Sequence, residues 1–95
     1  MFVVLLNYKK PLETVDQYLS DHSAFLESGY HKNHFVVSGR KQSQTGGVII
    51  SQLTDAKKLE KILQQDPFHL HGIADYEIIE FTPRKFHPDF TPFIA

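Results

Sequence analysis

The chain has 95 residues, contains no cysteine and carries a formal net charge of -1 at pH 7. This length predicts one domain, and the lack of cysteine excludes disulfides, thiolate metal sites and a cysteine nucleophile. The near-neutral charge does not favour nucleic acid or an anionic membrane as a partner. The longest apolar run, FVVLL, is too short for a membrane span or a signal sequence, so we expect a cytoplasmic protein.

A strand and a helix are predicted in the first third of the chain. The β-branched and aromatic run MFVVLLNY is typical of a strand, and Pro11 lies beyond its end. Thr14 and Gln17 have the spacing of a capping box, which predicts that a helix begins there. Gly29 is the expected C-cap. The apolar side of this helix places His22 in the middle of a stripe formed by Val15, Tyr18, Leu19, Phe25, Leu26 and Gly29.

Three further strands and a second helix follow. The strands are predicted at residues 34–39, 48–53 and 74–81, which read HFVVSG, VIISQL and ADYEIIEF. Thr54 and Asp55 suit the start of the second helix. Pro67 is expected to end it, because the residue before a proline avoids the α region. Gly46 and Gly47 precede the third strand, where they are expected to supply positive φ or to bring the backbone close to a ligand.

This order predicts an α+β, ferredoxin-like βαββαβ fold, with a four-stranded antiparallel sheet and both helices on one face. The runs FVVLL and VII are apolar on both faces of the sheet, although two helices can cover only one. We therefore expect a homodimer packed sheet against sheet. The tail, residues 85–95, is expected to reach across the partner with Phe86, Phe90 and Phe93.

His22 has two interpretations. It is either a core histidine with satisfied ring nitrogens, or a general acid or base beside a cavity, since imidazole titrates near neutrality. Asp66 likewise is either a routine Asp-Pro turn residue or the carboxylate that orients His22 and stabilises its imidazolium form. Ser38 is a candidate hydroxyl at the end of the second strand, although serine before glycine is also typical of turns.

The remaining histidines give a weaker signal for a metal. His31 and His34 are three residues apart and His69 and His71 two apart, which could suit zinc, nickel or copper. No H-E-x-x-H motif is present, and the first pair straddles a predicted helix end. We therefore predict no metal. Arg40 and Lys41 could bind an anionic substrate, although exposed basic loop residues usually stay solvated.

Several segments together resemble the YciI-like (YCII-related) family. They are DHSAFL, VVSGR, TGGVII and DPFHLHG, in this order, followed by a strand ending near FTPRKF. The resemblance implies a dimeric α+β barrel with a histidine and an aspartate facing a cleft, at the positions of His22 and Asp66. Many relatives have a proline where this chain has Arg40, which changes the loop nearest that cleft. Activities implied by relatives include dehydrochlorination of chlorinated aromatic diols, and related barrels include isomerases and oxygenases.

Three functions follow from these residues. The favoured one is a cofactor-independent lyase, isomerase or hydrolase acting on a small aromatic or anionic molecule. His22 would transfer the proton, Asp66 would orient it, and Ser38 or a backbone N–H near Gly39 would bind an oxyanion. The aromatic side chains expected to line the pocket are Tyr18, Phe25 and Phe68. The alternatives are a small-ligand binding or sensing module without catalysis, and a structural dimer with His22 in its core.

Overall fold

The computed structural model describes residues 1–94 as a sheet with helices on one side. The elements are β1 Phe2–Tyr8, α1 Leu12–Gln17, α2 Leu19–His31, β2 Phe35–Arg40, β3 Gly46–Ser51, α3 Ala56–Leu63, α4 Pro67–Leu70, β4 Ala74–Glu80 and a 3₁₀-helix, Pro88–Phe93. All strand pairs are antiparallel, in the order β2-β3-β1-β4. Each helical segment therefore crosses one intervening strand, which confirms the ferredoxin-like α+β fold.

The two faces of the sheet differ in burial. Along β1, Phe2, Val4 and Leu6 are buried, whereas the alternating Val3 and Leu5 are only half-buried. Because successive side chains point to opposite faces, the first set defines the helix-covered face. The core on that face contains Phe2, Val4, Leu6, Val15, Phe35, Ile49, Leu59, Leu63, Phe68, Ile73 and Ala74. Full burial of each large side chain contributes roughly 1.5–3 kcal/mol.

The predicted first helix is two helices, and its predicted start is wrong. Pro11 is the N-cap of α1, and its carbonyl accepts the N–H groups of Thr14 and Val15 at 2.9 and 3.0 Å. Thr14 consequently lies inside the first turn instead of capping it, because the φ of proline, here −60°, already suits a helix start. At Tyr18 the backbone leaves helical geometry (φ −105°, ψ 2°), and α2 begins at the next residue.

The predicted C-cap of this segment is also wrong. Gly29 lies inside α2, which continues to His31. An added Cβ at Gly29 would come within 2.2 Å of the Phe35 ring, so the glycine permits close packing of α2 on β2. The chain turns after the helix at Asn33, which has a φ of 59°, a conformation that asparagine tolerates better than most residues.

The glycine pair before the third strand belongs to β3 itself. Neither Gly46 nor Gly47 has positive φ, and Gln44 takes that conformation (φ 59°) in the turn before them. The prediction of positive φ for the pair is therefore wrong. Gly46 is required for a different reason, because a Cβ there would lie 1.8 Å from the carbonyl oxygen of Leu6 on the neighbouring strand.

The second predicted helix begins as predicted, but it is followed by a further short helix that was not predicted. The Asp55 side chain accepts the N–H groups of Lys57 and Lys58, which confirms the start of α3. The helix ends at Leu63, ahead of Pro67. Pro67 then occupies the first position of a further short helix, α4, where its missing N–H costs no hydrogen bond.

The outer face of the sheet carries apolar side chains with no helix over them. Val37 is 54% exposed and Ile79 42% exposed, and half-buried neighbours on this face are Val3, Leu5, Val48 and Ile50. In the tail, Phe93 and Ile94 line a cavity with Met1 and Glu80 at one end of the sheet. Contact of the tail with a second subunit stays a prediction. Within residues 1–94, no helix has both the length and the apolar character of a membrane span.

Candidate active site

The structure brings His22 and Asp66 together from opposite halves of the chain. Nδ1 of His22 lies 2.8 Å from Oδ1 of Asp66, and both residues are buried. The stripe at helical spacing turns His22 toward the core, while the Asp-Pro sequence fixes Asp66 at the N-terminus of α4. The same Oδ1 accepts the Phe68 N–H at 3.0 Å.

Asp66 is the centre of a closed hydrogen-bond network. It is 0% exposed, and its Oδ2 accepts the Tyr76 hydroxyl at 2.6 Å. With His22 and the Phe68 N–H on Oδ1, the carboxylate therefore has three donors. Burial, followed by the negative charge of Asp66, raises the pKa of Tyr76. Tyr76 consequently stays protonated and remains a donor to the carboxylate.

The imidazole ring of His22 is held in one orientation. It stacks on the Phe68 ring with a centroid distance of 3.9 Å and an interplanar angle of 2°. A carboxylate can only accept, so Nδ1–H donates to Asp66, and in the neutral ring Nε2 carries the lone pair. Nε2 has no hydrogen-bond partner within residues 1–94 and is not sealed from solvent. The orientation therefore leaves a basic nitrogen open beside a cavity.

That cavity has a volume of about 110 Å³ and lies between α2 and the helix-covered face of the sheet. Its lining combines apolar side chains with a few polar groups: Leu6, Tyr8, Leu19, His22, Ser23, Leu26, Ser38, Gly39, Arg40, Gly47, Val48, Ile49 and Phe68. Gly47 pairs with Leu6 on one side and Arg40 on the other. The missing side chain of Gly47 thus leaves space in the middle of a cross-strand row.

The structure separates the predicted site residues into two groups. His22, Ser38, Gly39, Arg40 and Phe68 line the cavity, and Asp66 lies directly behind His22. The Ser38 hydroxyl is 2.5 Å from the hydroxyl of Tyr30.

The two other predicted aromatic residues lie elsewhere. Tyr18 stacks on His71, with centroids 4.4 Å apart. The ring centroid of Phe25 lies 6.4 Å from that of His22, and Phe25 lines a separate cavity of about 190 Å³ with Lys32 and His34. Neither Tyr18 nor Phe25 is among the residues that line the cavity beside His22.

Arg40 is held at the cavity by two partners. Its Nη2 donates to Oδ1 of Asp16 at 2.8 Å, and its Nε donates to the hydroxyl of Tyr8 at 3.1 Å. The hydrogen bond to Asp16 is the largest cause of a raised pKa for Arg40, and the bond to Tyr8 is the next. The guanidinium therefore supplies a fixed positive charge to a cavity whose other lining is mainly apolar.

The remaining histidines do not converge. Within residues 1–94, no three histidine, aspartate or glutamate side chains are grouped so as to hold a metal ion. His69 contacts Tyr76 edge-to-face with centroids 5.9 Å apart, and His34 packs against Phe35. Burial, and then the positive charges of Lys58 and Lys32, lower the pKa of His34.

A comparison with family models matches residues 1–82 to the YCII-related domain. The chain belongs to the YCII-related domain family. No curated protein matches the sequence.

The YCII-related domain is similar in fold to a solved structure of 5-chloro-2-hydroxyhydroquinone dehydrochlorinase from Burkholderia phenoliruptrix AC1100, in complex with 2,5-dihydroxybenzoquinone. The identity is 18% and the TM-score 0.68, and the match covers 85% of this chain and 93% of that one. SnoaB, a cofactor-independent oxygenase from Streptomyces nogalater, matches at 18% identity with a TM-score of 0.48, covering 92% of this chain and 94% of that one.

Sequence reasoning missed three side chains of this YCII-related domain. Tyr76 could have been predicted, since it lies on the same face of β4 as Ala74 and Ile78. This alternation predicts that its hydroxyl faces the helices. Tyr8 and Asp16 gave no such signal. Their role depends on Arg40, which is distant in sequence.

Proposed function

We propose that this protein is a cofactor-independent enzyme that performs general acid/base chemistry on a small molecule of aromatic or anionic character. The observation that supports it is the position of His22, whose Nδ1 is held by the buried carboxylate of Asp66 and whose ring lines the cavity. A fully enclosed structural histidine has both ring nitrogens hydrogen-bonded, whereas Nε2 of His22 has no protein partner within residues 1–94. The reaction type is that of a lyase, isomerase or hydrolase.

The pair provides a complete path for one proton. Nε2 of His22 accepts a proton from a bound molecule, and the resulting imidazolium is stabilised by the Asp66 carboxylate beside Nδ1. The Asp66 carboxylate keeps its orientation while the proton is transferred, because Tyr76 and the Phe68 N–H hold its two oxygens. His22 then returns the proton to another atom of the intermediate or to a leaving group.

Ser38 is our candidate for binding the negative charge that develops in this step, because it lines the same cavity. Its hydroxyl shares a hydrogen bond with Tyr30, and either oxygen can be the donor. When Tyr30 donates, the hydrogen of Ser38 is available to an oxyanion in the cavity. Apolar side chains, among them Leu6, Leu26 and Phe68, form much of the remaining lining of this cavity.

Proton transfer can be tested without knowledge of the physiological substrate. A panel of small enolisable carboxylates and hydroxyquinols is incubated with the protein in D₂O, and loss of C–H signals is followed by proton NMR. We expect exchange or turnover with the wild type and a loss of about 10²-fold or more in His22→Gln, the usual contribution of a general acid or base. The matched control is His31→Gln, an exposed histidine on the same helix. Equal activity of His22→Gln and wild type would contradict the proposal, and saturable binding without exchange would favour a binding module.

We also propose that two copies pack through the outer face of the sheet. The support is the row of apolar side chains on that face, where Val37 is 54% and Ile79 42% exposed in the single chain. Leu5→Lys, in the middle of the face, should give a monomer by sedimentation analysis, because a charge would be buried without a partner. A monomeric wild type would contradict this assembly.

A further inference from the structure

The guanidinium of Arg40 uses only one of its two binding edges within the protein. Nε and Nη2 form the side edge, and they donate to Tyr8 and Asp16. Nη1 has no hydrogen-bond partner within residues 1–94, and Nη2 carries a second N–H besides the one it donates to Asp16; we call these two groups the free edge. Two parallel N–H groups on this edge match the geometry of a carboxylate.

The contacts on the side edge fix the position of the free edge. The Arg40 Cζ lies 5.7 Å from the centroid of the Tyr8 ring, so Tyr8 contributes both a hydroxyl acceptor and a face to the guanidinium. The Arg40 side chain is 31% exposed and that of Asp16 is 53% exposed. Arg40 is thus oriented before any ligand arrives, which reduces the entropy lost on binding.

The next residue, Lys41, is also basic, but it contacts a residue on the outer side of the sheet. Lys41 donates its Nζ to Asn7 at 2.9 Å and does not line the cavity. Asn7 faces the outer side of the sheet, in the register of Gly46, whereas Arg40 is paired with Gly47 on the helix-covered face. Arg40 is therefore the one arginine or lysine among the residues lining the His22 cavity.

We propose that the free edge of Arg40 binds the carboxylate of the substrate, so that the substrates are small carboxylic acids whose apolar part occupies the cavity beside Nε2 of His22. This deepens the proposed function and rests on it for the chemical step. The cavity volume of about 110 Å³ limits the apolar part, since a cavity of about 150 Å³ is enough for one benzene ring. A single planar ring, partly inserted, or a short alkyl chain satisfies this limit.

Benzoate and benzamide test the assignment, because they have nearly the same shape and differ in charge. Binding of each is measured by NMR titration of amide signals at low ionic strength, for the wild type and for Arg40→Gln, Arg40→Lys and the control Lys41→Gln. We expect the wild type to prefer benzoate. Arg40→Gln should weaken benzoate binding about tenfold or more, which is the usual effect of losing hydrogen bonds between charged groups. Benzamide binding should stay unchanged. Arg40→Lys should also weaken it, because lysine cannot bind in a fork.

The possible outcomes separate this assignment from the proposed function. Equal weakening by Arg40→Gln and Lys41→Gln would show a general charge effect and overturn the assignment, as would wild-type binding of benzoate no stronger than that of benzamide. If Arg40→Gln alone loses benzoate while His22→Gln keeps full proton-exchange activity, the carboxylate site stands and the proposed function fails. If His22→Gln abolishes exchange and Arg40→Gln does not alter benzoate binding, the proposed function stands and the carboxylate site is wrong.

Discussion

Removal of the Asp66 carboxylate should destabilise the fold far more than removal of an exposed carboxylate. In Asp66→Ala, His22, Tyr76 and the Phe68 N–H all lose their acceptor. A buried donor left without a partner costs about 1–3 kcal/mol, and three donors lose their acceptor here. We therefore expect the free energy of unfolding to fall by about 3–5 kcal/mol, a large part of the roughly 5–15 kcal/mol of a typical domain.

Asp66→Asn should be much milder, because one oxygen can be kept where it is needed. With the amide oxygen at the position of Oδ1, His22 and the Phe68 N–H retain their acceptor. The new NH₂ group then faces the hydroxyl of Tyr76, which can rotate and accept. These hydrogen bonds become weaker, because their acceptor no longer carries a negative charge. We expect this to lower the free energy of unfolding by about 1–2 kcal/mol.

Urea unfolding followed by far-UV circular dichroism measures these differences, since the chain has no tryptophan to report by fluorescence. The matched control is Asp75→Ala, which removes an exposed carboxylate of β4 paired with Lys9 at 3.3 Å. An exposed pair of this kind is worth about 0–1 kcal/mol. The reasoning fails if Asp66→Ala costs no more than Asp75→Ala, or if Asp66→Asn is as costly as Asp66→Ala.

Two further predictions concern the cavity and the pH dependence of stability. Gly47→Val should fill the cavity and weaken ligand binding about tenfold or more. Gly39→Ala should leave binding unchanged, because its added Cβ meets nothing within 4 Å. NMR titration with benzoate distinguishes the two variants, and equal effects on binding would contradict the assigned cavity. Because the pKa of His34 is lowered in the fold, the unfolded chain takes up the proton first, so stability should fall as the pH drops below about 6.5. Urea midpoints should show a smaller fall in Lys58→Gln and none from this source in His34→Gln; three identical pH profiles would refute the attribution.

Local chemistry was enough to predict the strands and the two halves of the His22–Asp66 pair. Helical periodicity turns His22 toward the core, and the Asp-Pro sequence places Asp66 at a helix start. Each of these signals involves only a few neighbouring residues. That the two side chains meet depends on packing between α2 and α4, which no local pattern encodes, so the expectation rested on the resemblance to YCII-related proteins.

The errors in the helices have the same origin. Thr14 matched a capping pattern, but Pro11 already provides a helix start one turn earlier. Gly29 matched a C-cap pattern, but the glycine is needed because Phe35 occupies the space where a Cβ would lie. In both cases a local rule was correct in general and was overridden, once by a competing local signal and once by a tertiary contact.

The position of Arg40 depends on a single irregularity that the sequence does not reveal. Regular alternation along β2 would place Phe35, Val37 and Gly39 on one face, with Ser38 and Arg40 on the other. The register instead shifts between Phe35 and Val37, so that Phe35, Ser38 and Arg40 all face the helices. One extra residue in an edge strand thus turns a hydroxyl and a guanidinium from the outer face into the cavity beside His22, and it leaves the apolar Val37 outside. This is the usual effect of a β-bulge next to a functional site, where it redirects side chains without a change in the order of strands.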